Sequence, residues 1–397
     1  MHINGSVYLG LDSDDDVPDL HKPKISQVDF SKAEINGELR IRNAHVDGKL
    51  NLFGIRVGRF FEFSNSRSAK LSLDEGDFGK IELVYVELGH ASDHDDLTLG
   101  ALGSSSTHSV QILRSVTYGT VESSGAHINN ELDIRGSNLK QLLLTSSMID
   151  GELIMGQITK DGQTNYQSWS DKRHLGLEHT KVRILRSRLR DWPDSLDLNG
   201  LTYTAFAPPL DDKKYTPLLE ELKRWIVKSV PFAPAGYKQL RSVLMNSGYG
   251  AFATEIGIQG RDKEREAAWD GGLIQDWLWL SMLKLFINYG YFKWWAIGWA
   301  TLLTLAGTLV FYRANVLDLP DKHLCPSSTQ AANLLARKSI IDYIVYSFDM
   351  LLPIIQLNKR NYDLEVYNWP RHYVIMHKIM GYIIGACLLA GLTGLLK

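Results

Sequence analysis

Apolar residues in the first half of the chain recur at an interval of eleven residues. Leu39, Leu50 and Phe61 share this interval, and so do the apolar residues that lie two positions after each of them. In "LRI" and "LNL" a polar residue separates the apolar pair formed by Leu39 and Ile41 or by Leu50 and Leu52. Alternation with a period of two is typical of β-strands, so the pattern predicts short strands at regular spacing.

Short strands with one apolar side each can bury that side only by stacking on their neighbours. A similar pattern returns between residues 128 and 155. We therefore predict a mainly β N-terminal domain, a right-handed parallel β-helix or solenoid over residues 35–204, after an N-terminal cap over residues 1–34. A β-sandwich with evenly spaced strands is the alternative.

The apolar period changes to that of a helix after residue 204. In "PLLEELKRWIVKS", Leu218, Leu222 and Trp225 fall on one helical face. Residues 205–270 are predicted as a helical linker with a hairpin. Residues 271–290, rich in tryptophan but with charges inside, are predicted as an amphipathic helix in the membrane interface, with a buried core helix as the alternative.

Two uncharged apolar runs in the last third are long enough to cross a bilayer. They cover residues 294–311 and 379–396, and each would extend about 27 Å as a helix. We predict that both span the membrane within a C-terminal α-helical transmembrane domain over residues 291–397. Gly381 and Gly385 form a G-x-x-x-G pattern, which predicts close helix packing.

Between these runs lies "SIIDYIVYSFDMLLPIIQL", which is apolar but contains two aspartates and a proline. A full span would place Asp349 deep in lipid at a cost of about 2.5–3.5 kcal/mol. The segment over residues 339–357 is therefore predicted as a re-entrant pore-loop segment, an interfacial helix or a third span. The candidate functional residues are Asp349, Tyr346, Ser347, Pro353 and Gln356, with His377 and Lys378 at a pore mouth or at the lipid interface.

Charge and cysteine content narrow the classes of protein. The formal net charge of −2 argues against a nucleic-acid-binding protein, and two cysteines exclude a disulfide framework. The first sixteen residues have no apolar leader pattern, which predicts an inner (cytoplasmic) membrane protein with its β domain in the cytoplasm. Basic residues between Arg313 and Arg371 favour the opposite orientation.

Motifs for metal or cofactor binding are not convincing. Asp12, Asp14 and Asp16 follow the order of a calcium loop, but Val17 stands where that loop needs glycine. Residues 90–95 hold two histidines and two aspartates, and we interpret them as a solvated loop rather than a zinc site. We predict no metal, no cofactor and no enzymatic activity.

The units such as "GELRIRNAHVDGKLNLFGIRV" resemble the degenerate pentapeptide type of right-handed β-helix. Together with "YKQL", "YGY", "YSFDMLLPIIQL" and "AGLTG", they make the chain similar to a bacterial family of pentapeptide-repeat-like membrane proteins with a C-terminal two-helix, pore-loop-like region. That family is often labelled "membrane-associated oxidoreductase". The resemblance implies a β-helix joined to a membrane domain, and no motif in this chain supports the oxidoreductase label.

These patterns lead to two hypotheses for function. The first is a membrane-embedded oligomeric pore or ion-channel-like protein, in which the cytoplasmic β-helix senses a ligand and Asp349 sets cation preference. The alternative is a membrane-tethered β-helix scaffold for protein–protein interaction, without transport or catalysis. The expected partners are the lipid bilayer, further copies of the chain as a homo-oligomer and a protein on the β-helix surface, but no nucleic acid.

Overall fold

The computed structural model describes residues 1–11, 18, 21–89, 97–98, 107–160, 163–292, 294–318, 339–351 and 369–392. Within these residues the chain divides into two compact units, Met1–Gly260 and Arg261–Lys397. We refer to them as the sheet unit and the helical unit.

The sheet unit contains two eleven-stranded sheets in which neighbouring strands are parallel. The strands of sheet A are β1 His2–Ile3, β2 Val7–Gly10, β5 Glu34–Ile35, β6 Leu39–Arg42, β8 Arg56–Ser64, β10 Asp77–Val84, β13 Thr107–Leu113, β16 His127–Asp133, β18 Met148–Ile154, β22 Lys181–Arg186 and β24 Ala205–Ala207. The strands of sheet B are β3 Lys24–Ile25, β4 Val28–Asp29, β7 His45–Asn51, β9 Arg67–Ser72, β11 Glu87–Leu88, β12 Leu97–Thr98, β14 Val116–Thr117, β15 Thr120–Glu122, β17 Asn138–Leu143, β21 Ser168–Gly176 and β23 Ser195–Asp197. A separate antiparallel hairpin joins β19 Ile158–Lys160 and β20 Gln163–Asn165.

The eleven-residue interval places successive apolar pairs in alternate sheets. Leu39 of β6 pairs with Phe61 of β8 in sheet A, whereas Leu50 of β7 pairs with Leu71 of β9 in sheet B. All four side chains are fully buried, so the alternation identifies the inward positions correctly. Every second apolar unit therefore returns to the same sheet, directly beside the unit that it resembles.

Buried hydroxyl groups line the corners between strands. Ser137 Oγ accepts a hydrogen bond from the Ser115 backbone N–H at 3.0 Å and donates one to the Ile112 carbonyl oxygen at 2.8 Å. Ser66 and Ser147 make the same kind of pair of bonds to neighbouring backbone. The residue before each of these serines has a positive φ, as at Gly136 with φ 69°, which turns the chain sharply. Polar corner groups are thus satisfied inside the apolar core.

Helices follow the strands. Their bounds are α1 Leu219–Val227, α2 Pro234–Asn246, α3 Gly250–Asp270, α4 Ile274–Ile287, α5 Trp294–Arg313, α6 Ile340–Leu351 and α7 Trp369–Leu392. Pro234 in the first turn favours the start of α2. Gly248, with φ 84°, lies just after the end of this helix, where the chain turns away. In the sheet unit, Leu222, Trp225 and Leu240 of α1 and α2 belong to the same buried core as the strands.

The predicted fold class is wrong. The described residues form two large parallel sheets with seven α-helices, which is an α/β arrangement rather than a right-handed β-helix followed by a transmembrane domain. A period of apolar positions fixes the interval between strands, but it does not specify the handedness of the connections or the number of sheets that receive the strands. The predicted membrane domain fails for a second reason: α5 is the only described helix that is long and apolar enough to cross a bilayer.

The boundaries of the strands and helices also differ in detail from those of the predicted domains. Strands begin before Ile35, because β1 and β2 pair with β5 and β6. The segment over residues 205–270 contains α1, α2 and α3, and the division between the two units falls inside α3.

Candidate functional site

The helical unit exposes large apolar side chains on α4, α5, α6 and α7. We call this set the outer apolar surface; its members are Ile274, Leu278, Trp279, Leu285, Trp294, Trp295, Ile297, Leu302, Leu305, Leu309, Ile340, Ile341, Ile344, Trp369, Ile375, Met376, Ile379, Tyr382 and Leu389. Water-soluble proteins rarely expose an apolar area that continues over several helices, and such areas mark contacts with a membrane or another protein.

Helix α5 contributes most clearly to this surface. It is twenty residues long, and only 28% of its apolar window is buried. Its length and composition allow α5 to cross a bilayer, and they also suit the core helix of a water-soluble protein. Trp294 and Trp295 stand at its N-terminal end, and Tyr312 and Arg313 stand at its C-terminal end. Amphipathic residues in these places are typical of helices whose ends lie at a membrane–water interface.

The interior of the helical unit contains polar groups among its buried apolar side chains. Thr304 and Thr308 of α5, Ser347 and Asp349 of α6, and His377 of α7 are all buried. Each threonine hydroxyl donates to the carbonyl oxygen four residues earlier in α5, at 2.8 Å. These polar groups lie in the same unit as a buried apolar cluster that includes Phe311, Tyr346 and Met350, so its interior is mixed.

A serine and a histidine join three of these helices. Ser347 Oγ donates to the Thr304 carbonyl oxygen at 2.9 Å, which links α6 to α5. His377 Nε2 lies 3.1 Å from the Ser347 carbonyl oxygen and 3.3 Å from Ser347 Oγ, which links α7 to α6. A carbonyl oxygen only accepts, so Nε2 carries the proton. It therefore cannot take a proton from the serine hydroxyl, and this pair is not arranged as a nucleophile and its general base.

Two glycines allow the helices to approach closely at this place. A Cβ atom on Gly307 would lie 2.8 Å from His377 Cε1, and one on Gly381 would meet the backbone of Leu351. A Cβ atom on Gly385 would meet nothing within 4 Å. Of the two glycines in the predicted packing pattern, Gly381 therefore lies in a helix contact in the structure, and Gly385 faces open space.

The candidate residues of the segment over 339–357 fall partly inside the described residues. Tyr346 is buried with its ring at 5.0 Å from that of Phe311, in an edge-to-face arrangement. Asp349 and Ser347 are fully buried. Pro353 and Gln356 lie outside the described residues.

The predicted pore-loop and ion-channel-like character of this region is wrong. Residues Ile340–Leu351 form one continuous helix, and α5 alone meets the length and apolarity of a span among the described residues, so a channel with several spans is not supported. Asp342 lies in the first turn of α6, where its carboxylate accepts from the Ser339 backbone N–H at 2.9 Å. The two aspartates therefore occupy different places, Asp342 at the start of the helix and Asp349 in the interior.

The second predicted span differs from expectation as well. Helix α7 begins ten residues before residue 379 and includes Arg371, His372 and Lys378. These charged or polar residues precede the predicted span within the same helix, and residues 393–396 of that span lie outside the described residues. The segment predicted as interfacial contains α4, in which Leu280, Leu283 and Phe286 are buried, while the members of the outer apolar surface are exposed.

The two acidic segments that sequence reasoning considered for metals, at residues 12–16 and 90–95, lie outside the described residues. Within the part of the chain that the structure describes, no group of three His, Cys, Asp or Glu side chains is placed to hold a metal ion. The contact of Ser347 with Thr304 was missed at the sequence level. The neighbouring contact of Ser347 with His377 had one signal, a histidine just before an apolar run, which was interpreted as lying at a mouth or an interface.

Comparison of the chain with family models, with curated proteins and with solved structures finds no match. The resemblance to the pentapeptide-repeat-like membrane proteins therefore stays a prediction.

Proposed function

We propose that this protein is a membrane-anchored scaffold, in which α5 holds the helical unit at a lipid bilayer and the sheet unit binds another protein. The observation that supports it most directly is the outer apolar surface of the helical unit. Its exposed apolar side chains occur on four helices, and α5 among them is long and apolar enough to cross a bilayer. Removing this apolar area from water would stabilise the membrane-bound state by about 25 cal/mol for each Å².

The scaffold role is supported by the regular face of sheet A. Arg40, Glu62 and Glu82 are register partners on β6, β8 and β10; Arg40 and Glu82 are partly exposed, whereas Glu62 is buried and pairs with Arg40 and Arg42. The Arg40 guanidinium also lies over the ring of Phe60 at 4.8 Å. Strands about 4.8 Å apart make such a face long and periodic, which suits the binding of an extended partner.

Four basic residues of the described helical unit precede α5, and they favour a cytoplasmic location for this side of the helix. They are Arg261, Lys263, Arg265 and Lys284. Within the proposal the sheet unit is therefore cytoplasmic, at the inner membrane. A cysteine introduced at Tyr166 should resist a membrane-impermeant maleimide in intact cells and react after lysis; labelling of intact cells would overturn this orientation.

Membrane anchoring can be tested with the full-length chain and lipid vesicles. Replacing Leu302, Leu305 and Leu309 with aspartate places charges on the exposed side of α5. At the bilayer centre each charge costs about 2.5–3.5 kcal/mol, so the variant should no longer float with vesicles in a density gradient. Leu210 is an exposed leucine of the sheet unit, and Leu210→Asp serves as the matched control that should still float. Equal flotation of both variants would contradict the anchoring role of α5.

The scaffold role needs a separate experiment. A photoreactive amino acid at Phe60 lies on the charged face of sheet A, whereas the same group at Tyr166 lies beside the hairpin. Irradiation of cells should give a discrete cross-linked band from position 60, and that band should disappear after Arg40→Glu reverses the neighbouring charge. The scaffold role of this face is overturned when both positions give the same bands or when Arg40→Glu has no effect.

A further inference from the structure

A cleft of about 420 Å³ opens in the helical unit between the end of α3 and α4. Its size is within the range of sites that bind small molecules. The wall is apolar, since Ala268, Leu280 and Leu283 are buried there. The cleft therefore combines enough room for a small group with a partly apolar wall and an open side.

The rim of the cleft carries three charged groups. Glu264 and Asp276 supply carboxylates, and Arg261 supplies a guanidinium that pairs with Glu264 at 2.7 Å. Two negative charges and one positive charge leave the rim net negative, which disfavours a simple anion such as free phosphate. A ligand with a positive group and an adjacent negative group matches this rim better.

Aromatic rings complete the cleft. Trp279 lines it and is 45% exposed, so its ring is accessible to a ligand. Tyr289 also lines it, and its hydroxyl donates to Asp262 Oδ1 at 2.7 Å, an atom that also accepts from Lys284 Nζ at 2.7 Å. Burial and the neighbouring Asp262 raise the pKa of the Tyr289 phenol, so the ring contributes no charge. An indole ring beside carboxylates is a favourable environment for an ammonium group.

The neighbouring surface indicates where such a ligand comes from. Ile274, Leu278 and Leu285 are exposed on α4, the helix that forms one side of the cleft. They belong to the outer apolar surface, which the proposed function assigns to lipid. A ligand with a charged end in the cleft and an apolar end along these side chains would contact both the cleft and the outer apolar surface.

We propose that this cleft binds the headgroup of a phospholipid with a primary amine, of the phosphatidylethanolamine class. The ammonium group lies against Glu264, Asp276 and the Trp279 ring, and the phosphate contacts Arg261. A primary ammonium has N–H groups that donate to both carboxylates, whereas the quaternary ammonium of a choline headgroup has none. The site therefore prefers ethanolamine over choline headgroups and over anionic glycerol headgroups. This inference rests on the proposed membrane association of the helical unit.

The experiment uses full-length protein in detergent, equilibrated with equal amounts of phosphatidylethanolamine, phosphatidylcholine and phosphatidylglycerol. Native mass spectrometry then counts the lipids that remain bound. Phosphatidylethanolamine should be retained preferentially, and Glu264→Gln combined with Asp276→Asn should weaken its retention about tenfold, as expected for the loss of charge-assisted hydrogen bonds. Glu266→Gln is the matched control, because Glu266 is exposed on the same helix, pairs with Lys263 and does not line the cleft.

A second variant distinguishes a loss of lipid binding from a loss of folding. Trp279→Leu keeps an apolar side chain and both carboxylates but removes the aromatic face, so it should lower retention while its thermal unfolding stays unchanged. Trp279→Phe should restore part of the retention. Equal retention of all three lipids, or full retention by the double variant, overturns the site.

Failure of the site and failure of the membrane proposal give different results. Vesicles without phosphatidylethanolamine should still carry the protein in flotation; loss of flotation there overturns the proposed function. Flotation without any headgroup preference overturns the cleft alone. Soluble phosphoethanolamine should not displace the bound lipid, since it lacks acyl chains, and displacement by it at millimolar concentration would reject the lipid as the natural ligand.

Discussion

Single polar residues hold the corners of the sheet unit, and Ser137 is the clearest case. Its hydroxyl is fully buried and is the acceptor for the Ser115 backbone N–H. Ser137→Ala would leave this buried N–H without that acceptor, and we expect a loss of about 1–3 kcal/mol in the free energy of unfolding. Chemical denaturation of the full-length protein measures this loss.

Ser124→Ala is the matched control, because the Ser124 hydroxyl donates to the Glu122 carboxylate at 3.1 Å in an exposed place. Its free energy of unfolding should change by less than about 0.5 kcal/mol. Equal losses for the two variants would show that the corner hydroxyls do not stabilise the sheets.

One residue pair on sheet A makes stability depend on pH. Arg186 binds Glu152 through two hydrogen bonds of 2.5 and 2.7 Å, which lowers the pKa of that carboxyl below its usual value of 4.5. A lowered pKa adds stability above pH 4.5, and this contribution is lost as the pH falls through the lower, folded-state pKa. Glu152→Gln should therefore destabilise the protein at pH 7 and make its unfolding midpoint less dependent on pH between 5 and 3. An unchanged slope in that range would refute the assignment.

At the scale of elements, strand β7 tests the direction of alternate side chains. Leu50 is fully buried, whereas Lys49 is half-buried and pairs in register with Lys70. Leu50→Asp would place a carboxylate in the apolar core without a partner, and we expect it to unfold the sheet unit or cost more than about 4 kcal/mol. Lys49→Asp should cost less than about 1 kcal/mol. Circular dichroism of the two variants compares them, and similar damage from both would reverse the assignment of inner and outer positions.

Helix α5 offers a matched pair of glycines. A side chain at Gly307 would collide with Ser347 and His377, whereas one at Gly298 would meet nothing within 4 Å. Gly307→Ala should therefore weaken the contact of α5 with α6 and α7 by about 1–3 kcal/mol. Gly298→Ala should leave stability unchanged or raise it by about 0.5–1 kcal/mol, since alanine favours helix. Thermal unfolding in detergent measures the stability of both variants. A Gly307→Ala variant as stable as Gly298→Ala would contradict the close contact at Gly307.

Elements differ in how far the sequence predicts them. The inward positions of β6, β7 and β8 follow directly from alternation, because each strand places successive side chains on opposite faces. The polar contacts of α5, α6 and α7 could not be predicted in the same way. Ser347 and Thr304 are 43 residues apart, and Ser347 and His377 are 30 apart. Such contacts depend on how whole helices pack, which a local pattern does not contain.

For the whole molecule, the sequence predicts the separation into a β-rich first part and a helical last part. It does not predict the fold class, since the same interval of apolar strands suits more than one way of connecting parallel sheets. It also overestimates the number of membrane spans, because apolar residues in α6 and α7 occur beside Asp349 and Lys378. The sequence of a helix that buries polar side chains and exposes apolar ones is difficult to distinguish from the sequence of a helix that buries apolar side chains and exposes polar ones.

The register of sheet A has a consequence for inserting foreign sequence. His127 of β16 pairs with Met148 of β18 after 21 residues, whereas Met148 pairs with Lys181 of β22 after 33. The additional length includes the hairpin of β19 and β20, which forms its own two-stranded sheet. The ladder of sheet A thus continues past an inserted segment. An epitope tag placed between Lys160 and Gln163 should be tolerated for the same reason, which makes this hairpin a natural point for attaching a reporter.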